Sequence, residues 1–297
     1  MIRATIFGLL IVAVAVAIGA GAAHPDAQPF PAYRIAGNLY YVGTNDITSY
    51  LVTTPAGHIV INEGYEETPA LIRDSIEKLG FHVRDVKILL NGQAHFDHVA
   101  GLAAMQKLTG DIQAKSASRF AGAQVYSSAA EVPVLESGGK ADFRFGNEYS
   151  YPPVKVDRVV NDGDKVTLGG VTLVAHVTGG HSVGCTTWTM QVSDDAHKVY
   201  DVVIVGGTTI NPGVTLLHNA KYPAVSDDFA RTFRVLRSLH CDIFLGAHGG
   251  YYGMLAKYDR LKRGEPNPFV DPDGYRAHID AAEKRYQDQL ARERGRP

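Results

Sequence analysis

A dense cluster of metal-binding side chains lies in a nine-residue segment, Asn91–Val99, which reads NGQAHFDHV. It holds the imidazoles of His95 and His98 and the carboxylate of Asp97 within four residues. Imidazole and carboxylate groups suit Zn²⁺ or iron. Because neighbouring side chains in a loop point in different directions, one ion cannot easily bind all three, whereas two ions can. The alternative is a local structural role, in which Asp97 caps a helix and both histidines are polar loop residues.

Two later histidines also follow strand-like segments. His181 lies within the run VTGGHS at residues 177–182, and His248 lies within FLGAHGG at residues 244–250. Adjacent glycines leave room for a ligand close to the backbone, and sites in layered α/β proteins usually lie at the carboxyl ends of strands. We therefore expect three loops to converge on one metal centre. They carry Gln93, His95, Asp97 and His98; His181; and His248, respectively.

The elements around these loops predict a layered α/β fold. Residues 86–90 form a short apolar run before the histidine cluster and predict a buried strand, and residues 99–108 behind it predict a helix. Turns at residues 55–57 and 169–170 each join two strand-like runs and predict hairpins. Because strands lead each half and helices follow, we expect two sheets packed face to face with helices outside, in one domain. The other predicted strands are residues 35–42, 186–192, 199–205 and 242–245 and one that begins at Ile112, and the other predicted helices are residues 69–79, 228–239 and 277–292.

Composition and charge exclude several classes of protein. The chain of 297 residues has 29 Lys and Arg against 31 Asp and Glu, a formal net charge of −2, with 45% hydrophobic and 20% charged residues. This composition is globular. The near-neutral charge argues against a nucleic-acid partner, because few phosphate counterions would be released on binding. The two cysteines cannot form a disulfide scaffold or a four-thiolate zinc site.

Residues 1–22 predict a secretory signal peptide. Arg3 is followed by an apolar run, and Ala20-Gly21-Ala22 is a small-residue cleavage signal of the A-x-A type. The alternative is a retained membrane anchor, since about 20 apolar residues can span a bilayer. We expect cleavage, which leaves residues 23–297 as a single mature domain in the periplasm, without a membrane association.

The ligand pattern and its surroundings resemble the metallo-β-lactamase superfamily, and within it the subclass B3 β-lactamases. The superfamily motif H-x-H-x-D-H is similar to the run QAHFDH at residues 93–98, and single histidines follow after the second hairpin and near the end, as His181 and His248 do here. The run GCTTW at residues 184–188 resembles the B3 block that ends in Gly-x-Thr-Thr-Trp. The resemblance extends from Asn38 to the terminal helix. It implies the αββα sandwich of this superfamily, in which two mixed β-sheets pack face to face with helices outside and the metals bind at one edge.

Carried over residue by residue, the resemblance implies up to two zinc ions. One would be held by Gln93, His95 and His181, and the other by Asp97, His98 and His248. Gln93 departs from the usual histidine of the family, although a subset of B3-type enzymes has glutamine there. Because an amide oxygen is a poorer zinc ligand than an imidazole, the resemblance implies a weaker first site and activity with one ion at the second.

The implied reaction is hydrolysis of the β-lactam amide bond, which gives antibiotic resistance. Zinc lowers the pKa of water and supplies hydroxide, the hydroxide attacks the amide carbon, and Asp97 is the catalytic carboxylate that orients it. Thr208 stands where B3 enzymes carry a serine that contacts substrate, while Ile210 replaces a second serine. Thr208 is therefore either a substrate-binding residue or an ordinary strand-end residue. We expect a monomer whose partner is a small-molecule β-lactam.

Other activities are consistent with parts of the sequence. Another hydrolase of this fold would act on a lactone or thioester, but glyoxalase II-like and RNase Z-like relatives carry a bridging Asp where residues 206–208 here read GGT. The run GHSVG at residues 180–184 matches the nucleophile elbow of serine hydrolases. The residues after it predict a strand, whereas the elbow requires a helix. A metal-binding protein without catalytic activity is the third alternative.

Overall fold

The computed structural model describes residues 24–110, 122–146 and 148–295, which form two β-sheets with helices outside them. The first sheet has seven strands in sequence order, antiparallel up to the fourth strand and parallel from the fourth to the seventh. These strands are β1 (Tyr33–Ala36), β2 (Leu39–Tyr41), β3 (Tyr50–Thr54), β4 (Gly57–Ile61), β5 (Val86–Leu90), β6 (Gln124–Ser128) and β7 (Arg158–Val160).

The second sheet has five strands, which are β8 (Lys165–Leu168), β9 (Val171–Val177), β10 (Thr186–Ser193), β11 (Val199–Val205) and β12 (Ile243–Gly246). Their spatial order is β12-β11-β10-β9-β8, and only the β11–β12 pair among these strands is parallel. The helices are α1 (Thr68–Lys78), α2 (Phe96–Val99), α3 (Leu102–Thr109), α4 (Val132–Glu136), α5 (Val225–Ser238), α6 (Gly249–Tyr252), α7 (Met254–Lys262) and α8 (Pro272–Arg294), with a short 3₁₀ turn at Val83–Asp85.

Both faces of the first sheet are buried. Successive side chains of a strand point to opposite faces, and along β4 Ile59 and Ile61 join a core shared with the second sheet, whereas Val60 joins a core shared with the helices. Trp188 of β10 is fully buried in the shared core. The predicted αββα sandwich is therefore confirmed.

Most predicted elements are present, and two differ in detail. Residues 35–42 form two strands and not one, because Gly37 adopts a left-handed φ of 52° and turns the chain between β1 and β2. The terminal helix begins at Pro272, five residues before its predicted start, because the Asp271 carboxylate accepts the Gly274 backbone N–H at 2.9 Å and caps it. The short elements β6, β7 and α4 lie in or after a polar stretch where the sequence shows little periodicity.

Two predictions lie outside the described residues: the strand beginning at Ile112 and the signal peptide at residues 1–22. Among the helices of the described ranges, none has the length and apolar character needed to cross a lipid bilayer.

Candidate metal centre

Loops from both sheets meet at one end of the sandwich. The chain leaves β5 at Leu90 and passes through Gln93 and His95 into the short helix α2, which carries Asp97 and His98. His181 lies between β9 and β10, and His248 follows β12 and caps α6. The carboxyl ends of β5 and β12 thus bring candidate ligands together, and His98 and His248, 150 residues apart in sequence, lie in contact.

The first group of ligand atoms comprises two imidazoles that face each other. His95 Nδ1 lies 3.2 Å from His181 Nε2, and both rings are buried. The loop after β11 closes against this pair: a side chain at Gly207 would place its Cβ 2.5 Å from His181 Cδ2. Only glycine therefore fits there, because the backbone passes too close to the His181 ring for any side chain.

Gln93 reaches the same loop after β11, at the residue before Gly207, and its amide oxygen has no hydrogen-bond partner. The side chain is fully buried, Nε2 donates to the Gly206 carbonyl at 3.1 Å, and Oε1 forms no hydrogen bond. A buried polar atom without a partner is costly. A cation beside the two imidazoles would satisfy Oε1, so the residues present fit a metal ion.

The second group joins a carboxylate and two imidazoles. Asp97 Oδ2 lies 3.2 Å from His98 Nε2 and 3.6 Å from His248 Nε2, and the two imidazole nitrogens are 3.2 Å apart. The ligand atoms of these three residues all lie within 4.8 Å of one another. An anion and two imidazoles at this spacing are a typical zinc donor set.

The charge states of His95, His181 and Asp97 suit metal binding, which requires neutral histidine and ionised carboxylate. Burial lowers the pKa of His181 to about 4 and holds the pKa of His95 well below its usual range. Burial alone would raise the pKa of Asp97, but the neighbouring His98 and His248 lower it overall. The pKa of His248 is raised, because Asp46 and Asp97 outweigh the effect of burial.

Hydrogen bonds on the far side of the rings fix two of the histidines. His248 Nδ1 lies 2.9 Å from Asp46 Oδ2, while Asp46 Oδ1 accepts the Gly250 N–H at 2.8 Å. His181 Nδ1 lies 2.7 Å from the Thr209 carbonyl oxygen. Such outer contacts set the ring tautomer and leave the opposite nitrogen free for a metal. Sequence reasoning missed Asp46, which is 202 residues from His248.

The ligand loop is held to the core by two further contacts. Asn62, with a left-handed φ of 63°, accepts the Gly92 N–H through Oδ1 at 2.8 Å. Trp188 Nε1 donates to the Asn91 carbonyl at 3.0 Å. Trp188 therefore packs in the core and anchors the ligand loop, and it does not line the cleft.

An aromatic wall stands beside the first group of ligands. The Phe145 ring lies 4.9 Å from the His95 ring and 5.6 Å from the Tyr149 ring. Phe96 stacks on Tyr149 at 4.0 Å, and Tyr149 is 45% exposed. We use the name aromatic wall for Phe96, Phe145 and Tyr149.

Thr208 lies at the end of β11 but points away from solvent. It is 2% exposed, and its hydroxyl lies 2.9 Å from His278 Nε2 of α8. Its neighbour Thr209 is more open and contacts His181 through both its carbonyl and its hydroxyl. The Thr208 hydroxyl is therefore buried against α8 and is not open to solvent.

Ser182 is not placed as a nucleophile. Its hydroxyl is buried and donates to the Glu131 carboxylate, and the chain continues into strand β10 where a nucleophile elbow requires a helix. The serine-hydrolase alternative is therefore excluded. Cys185 and Cys241 are both free and buried, and burial raises the pKa of the Cys241 thiol to about 12.

Residues 42–195 match the sequence profile of the metallo-beta-lactamase superfamily. Native FEZ-1 metallo-β-lactamase from Legionella gormanii is 42% identical, with a TM-score of 0.85, over 92% of this chain and 100% of that chain. BJP-1, a subclass B3 metallo-β-lactamase of Bradyrhizobium japonicum, is 36% identical, with a TM-score of 0.80, over 90% of this chain and 96% of that chain.

The metallo-β-lactamase GOB-18 from Elizabethkingia meningoseptica is 33% identical, with a TM-score of 0.81, over 90% of this chain and 94% of that chain. Two sheets between helices with imidazole and carboxylate ligands at one end define a metallohydrolase-like α/β sandwich. The chain belongs to the metallo-β-lactamase superfamily.

Proposed function

We propose that this protein is a zinc-dependent β-lactamase of the B3 type, which hydrolyses the amide bond of a small-molecule β-lactam and so gives antibiotic resistance. The observation that carries the proposal is the cluster of Asp97, His98 and His248, whose possible ligand atoms all lie within 4.8 Å of one another, together with the facing imidazoles of His95 and His181. The buried, unpartnered Gln93 Oε1 supports it. Similarity to named β-lactamases along nine-tenths of the chain supports the substrate class.

Two zinc sites of different strength are the proposed metal arrangement. Gln93, His95 and His181 would hold one ion, and Asp97, His98 and His248 would hold the other. The first set has an uncharged amide oxygen where the second has an anion. Ligand charge and donor strength both favour the second set for Zn²⁺. The second site therefore fills first and supports substantial turnover with one ion.

When bound, zinc supplies a Lewis acid and lowers the pKa of water towards about 7, so that a nucleophile is present at neutral pH. Asp97 stays ionised because its imidazole neighbours lower its pKa. Its carboxylate accepts a hydrogen bond from the attacking water and directs the water towards the amide carbon. Ser182 is bonded to Glu131, so water attacks directly and no acyl-enzyme forms on that serine.

The aromatic wall supplies the apolar side of the substrate cleft. Phe145 lies against the His95 ring, and Tyr149 presents its exposed edge to solvent. Apolar surface beside a few fixed polar groups is typical of small-molecule sites. Thr208 is the second substrate contact, and its hydroxyl is buried against His278.

Export completes the proposal. Residues 1–22 act as a signal peptide, and cleavage releases residues 23–297 as a periplasmic monomer. The near-neutral charge of the chain, −2, is consistent with a small-molecule partner and with no nucleic-acid partner.

The test is turnover by purified protein with measured zinc content. Nitrocefin, a lactone and a thioester are offered to zinc-loaded protein and to protein stripped by a chelator. The proposal expects nitrocefin hydrolysis that is lost on chelation and restored by zinc. Lactone or thioester turnover without nitrocefin turnover would assign a different hydrolase of this fold. Bound zinc with no turnover of any substrate would leave a metal-binding protein.

A further inference from the structure

Asp142 lies in the loop that carries part of the aromatic wall. It is 7% exposed, and its backbone carbonyl accepts the Gly146 N–H at 3.1 Å to close a turn. Its Oδ1 accepts the N–H groups of Arg144 at 2.8 Å and Phe145 at 2.6 Å. These bonds use one carboxylate oxygen and hold the side chain in one orientation.

The second oxygen of Asp142 faces a metal-ligand histidine. Oδ2 lies 3.4 Å from His95 Nε2, a contact longer than a strong hydrogen bond. His95 Nε2 is buried and forms no hydrogen bond in the described residues. His95 Nδ1 points the other way, towards His181 Nε2 at 3.2 Å. Nδ1 is therefore the nitrogen directed into the first metal site.

A neutral imidazole carries one proton on one of its two nitrogens. If Nδ1 of His95 binds zinc, the proton must be on Nε2, where a buried N–H needs an acceptor. Asp142 Oδ2 is an anionic acceptor within reach of that proton. Carboxylate partners of this kind fix the orientation of a ligand ring and increase its basicity.

On these contacts we propose that Asp142 is the positioning residue of the first metal site, where it accepts the Nε2 proton of zinc-bound His95. The inference rests on the proposed function for its metal. It adds an anion next to the site whose own ligands, Gln93, His95 and His181, are all neutral. It also ties that site to the cleft loop, because the same carboxylate caps the turn that places Phe145 against the His95 ring.

The chain offers a matched control at the other site. Asp46 contacts His248 Nδ1 at 2.9 Å in the same relationship, with its other oxygen bonded to the backbone of Gly250. Each proposed zinc site thus has one outer carboxylate. If Asp142 serves the first site and Asp46 the second, substitutions at the two positions must weaken different zinc-binding constants.

Asp142→Asn separates the proposed role from a structural one. Asparagine Oδ1 still accepts the N–H groups of Arg144 and Phe145, but the other amide group is a donor that cannot accept the His95 proton. We expect Asp142→Asn to weaken zinc binding at the weaker site by roughly 10- to 100-fold and at the tighter site by less than about twofold. Calorimetric zinc titration measures both binding constants. Asp46→Asn is expected to weaken the tighter constant instead. Gln93→His identifies the weaker constant as that of the first site.

Unchanged constants in Asp142→Asn, or equal weakening of both, would overturn the role of Asp142. A wild type that binds no second zinc removes the first site and contradicts the proposed ligand set itself, so the two failures are distinct. A second measurement needs no variant: ¹⁵N NMR of histidine-labelled, zinc-loaded wild type. We expect His95 to be protonated on Nε2 and metal-bound through Nδ1. The opposite tautomer would overturn the inference even if Asp142→Asn fails to fold.

Discussion

The buried carboxyl group of Glu131 makes the free energy of unfolding fall as pH rises, and substitution of this residue tests that dependence. Glu131 is fully buried, and burial is the main cause that raises its pKa from 4.5 to about 7. The charge of Asp142 raises it further, while hydrogen bonds from Ser182 and the Gly184 N–H lower it. Oε2 forms no hydrogen bond in the described residues. Glu131→Gln keeps an acceptor for Ser182 and Gly184 and removes the charge.

The sign and size of the change in the free energy of unfolding follow from the difference in the pKa of Glu131 between the folded and unfolded states. Between pH 4.5 and about 7 the folded state holds a proton that the unfolded state has lost. The free energy of unfolding of the wild type therefore falls as pH rises through this window. Each pKa unit corresponds to about 1.4 kcal/mol, so this difference corresponds to about 3 kcal/mol once pH exceeds 7. Below pH 4.5 both states are protonated, and the effect vanishes.

The assay is urea unfolding of metal-free protein at several values between pH 4 and pH 8, with a chelator present throughout. We expect the stability of Glu131→Gln relative to wild type to increase by about 3 kcal/mol across this range. Glu66→Gln, at an exposed position, serves as the control for the change from Glu to Gln. A stability difference for Glu131→Gln that stays constant with pH would refute the reasoning.

Three more predictions concern the metal site, the core and export. Gln93→His should tighten zinc binding at the weaker site by roughly tenfold, which is the scale of changes around metal ligands. Calorimetric titration measures this, and two equally tight sites in the wild type would contradict a ligand role for Gln93. Trp188→Phe removes the donor to the Asn91 carbonyl and should lower the free energy of unfolding by about 1–3 kcal/mol, because a buried acceptor is left unpaired. Chemical denaturation measures this, and an unchanged midpoint would show that the contact does not stabilise the fold. Protein recovered from the periplasm should begin near Ala23 or His24, and an intact mass that retains residues 1–22 would indicate an anchor.

Much of the fold is readable from the sequence because its signals are local. The hairpins at residues 55–57 and 169–170 carry turn residues between strand-like runs, and β5 is a short apolar run before the ligand loop. The short strands β6 and β7 are not readable in this way. Each pairs with a strand that is far away in sequence. This tertiary pairing determines their structure, because so few residues show only a weak periodicity.

The predicted ligands share a visible signal, since His95, His181 and His248 each lie where a strand has ended. The carboxylates that contact these histidines from outside the metal centre have no such signal in the sequence. Asp46 and Asp142 stand in loops with no motif around them, and their roles depend on contacts made only after folding. Likewise, the resemblance to B3 enzymes implies a substrate contact for Thr208, but its hydroxyl contacts His278, 70 residues away.

The central claim is that the six predicted ligands hold the zinc that hydrolyses a β-lactam. The most direct measurement is nitrocefin turnover by His248→Ala at saturating zinc, with folding checked by circular dichroism and Glu66→Gln as a surface control. His248 belongs to the second group, where one lost imidazole leaves only Asp97 and His98. The account predicts that His248→Ala abolishes turnover, while the control retains it. Turnover by folded His248→Ala at the wild-type rate would contradict the assignment.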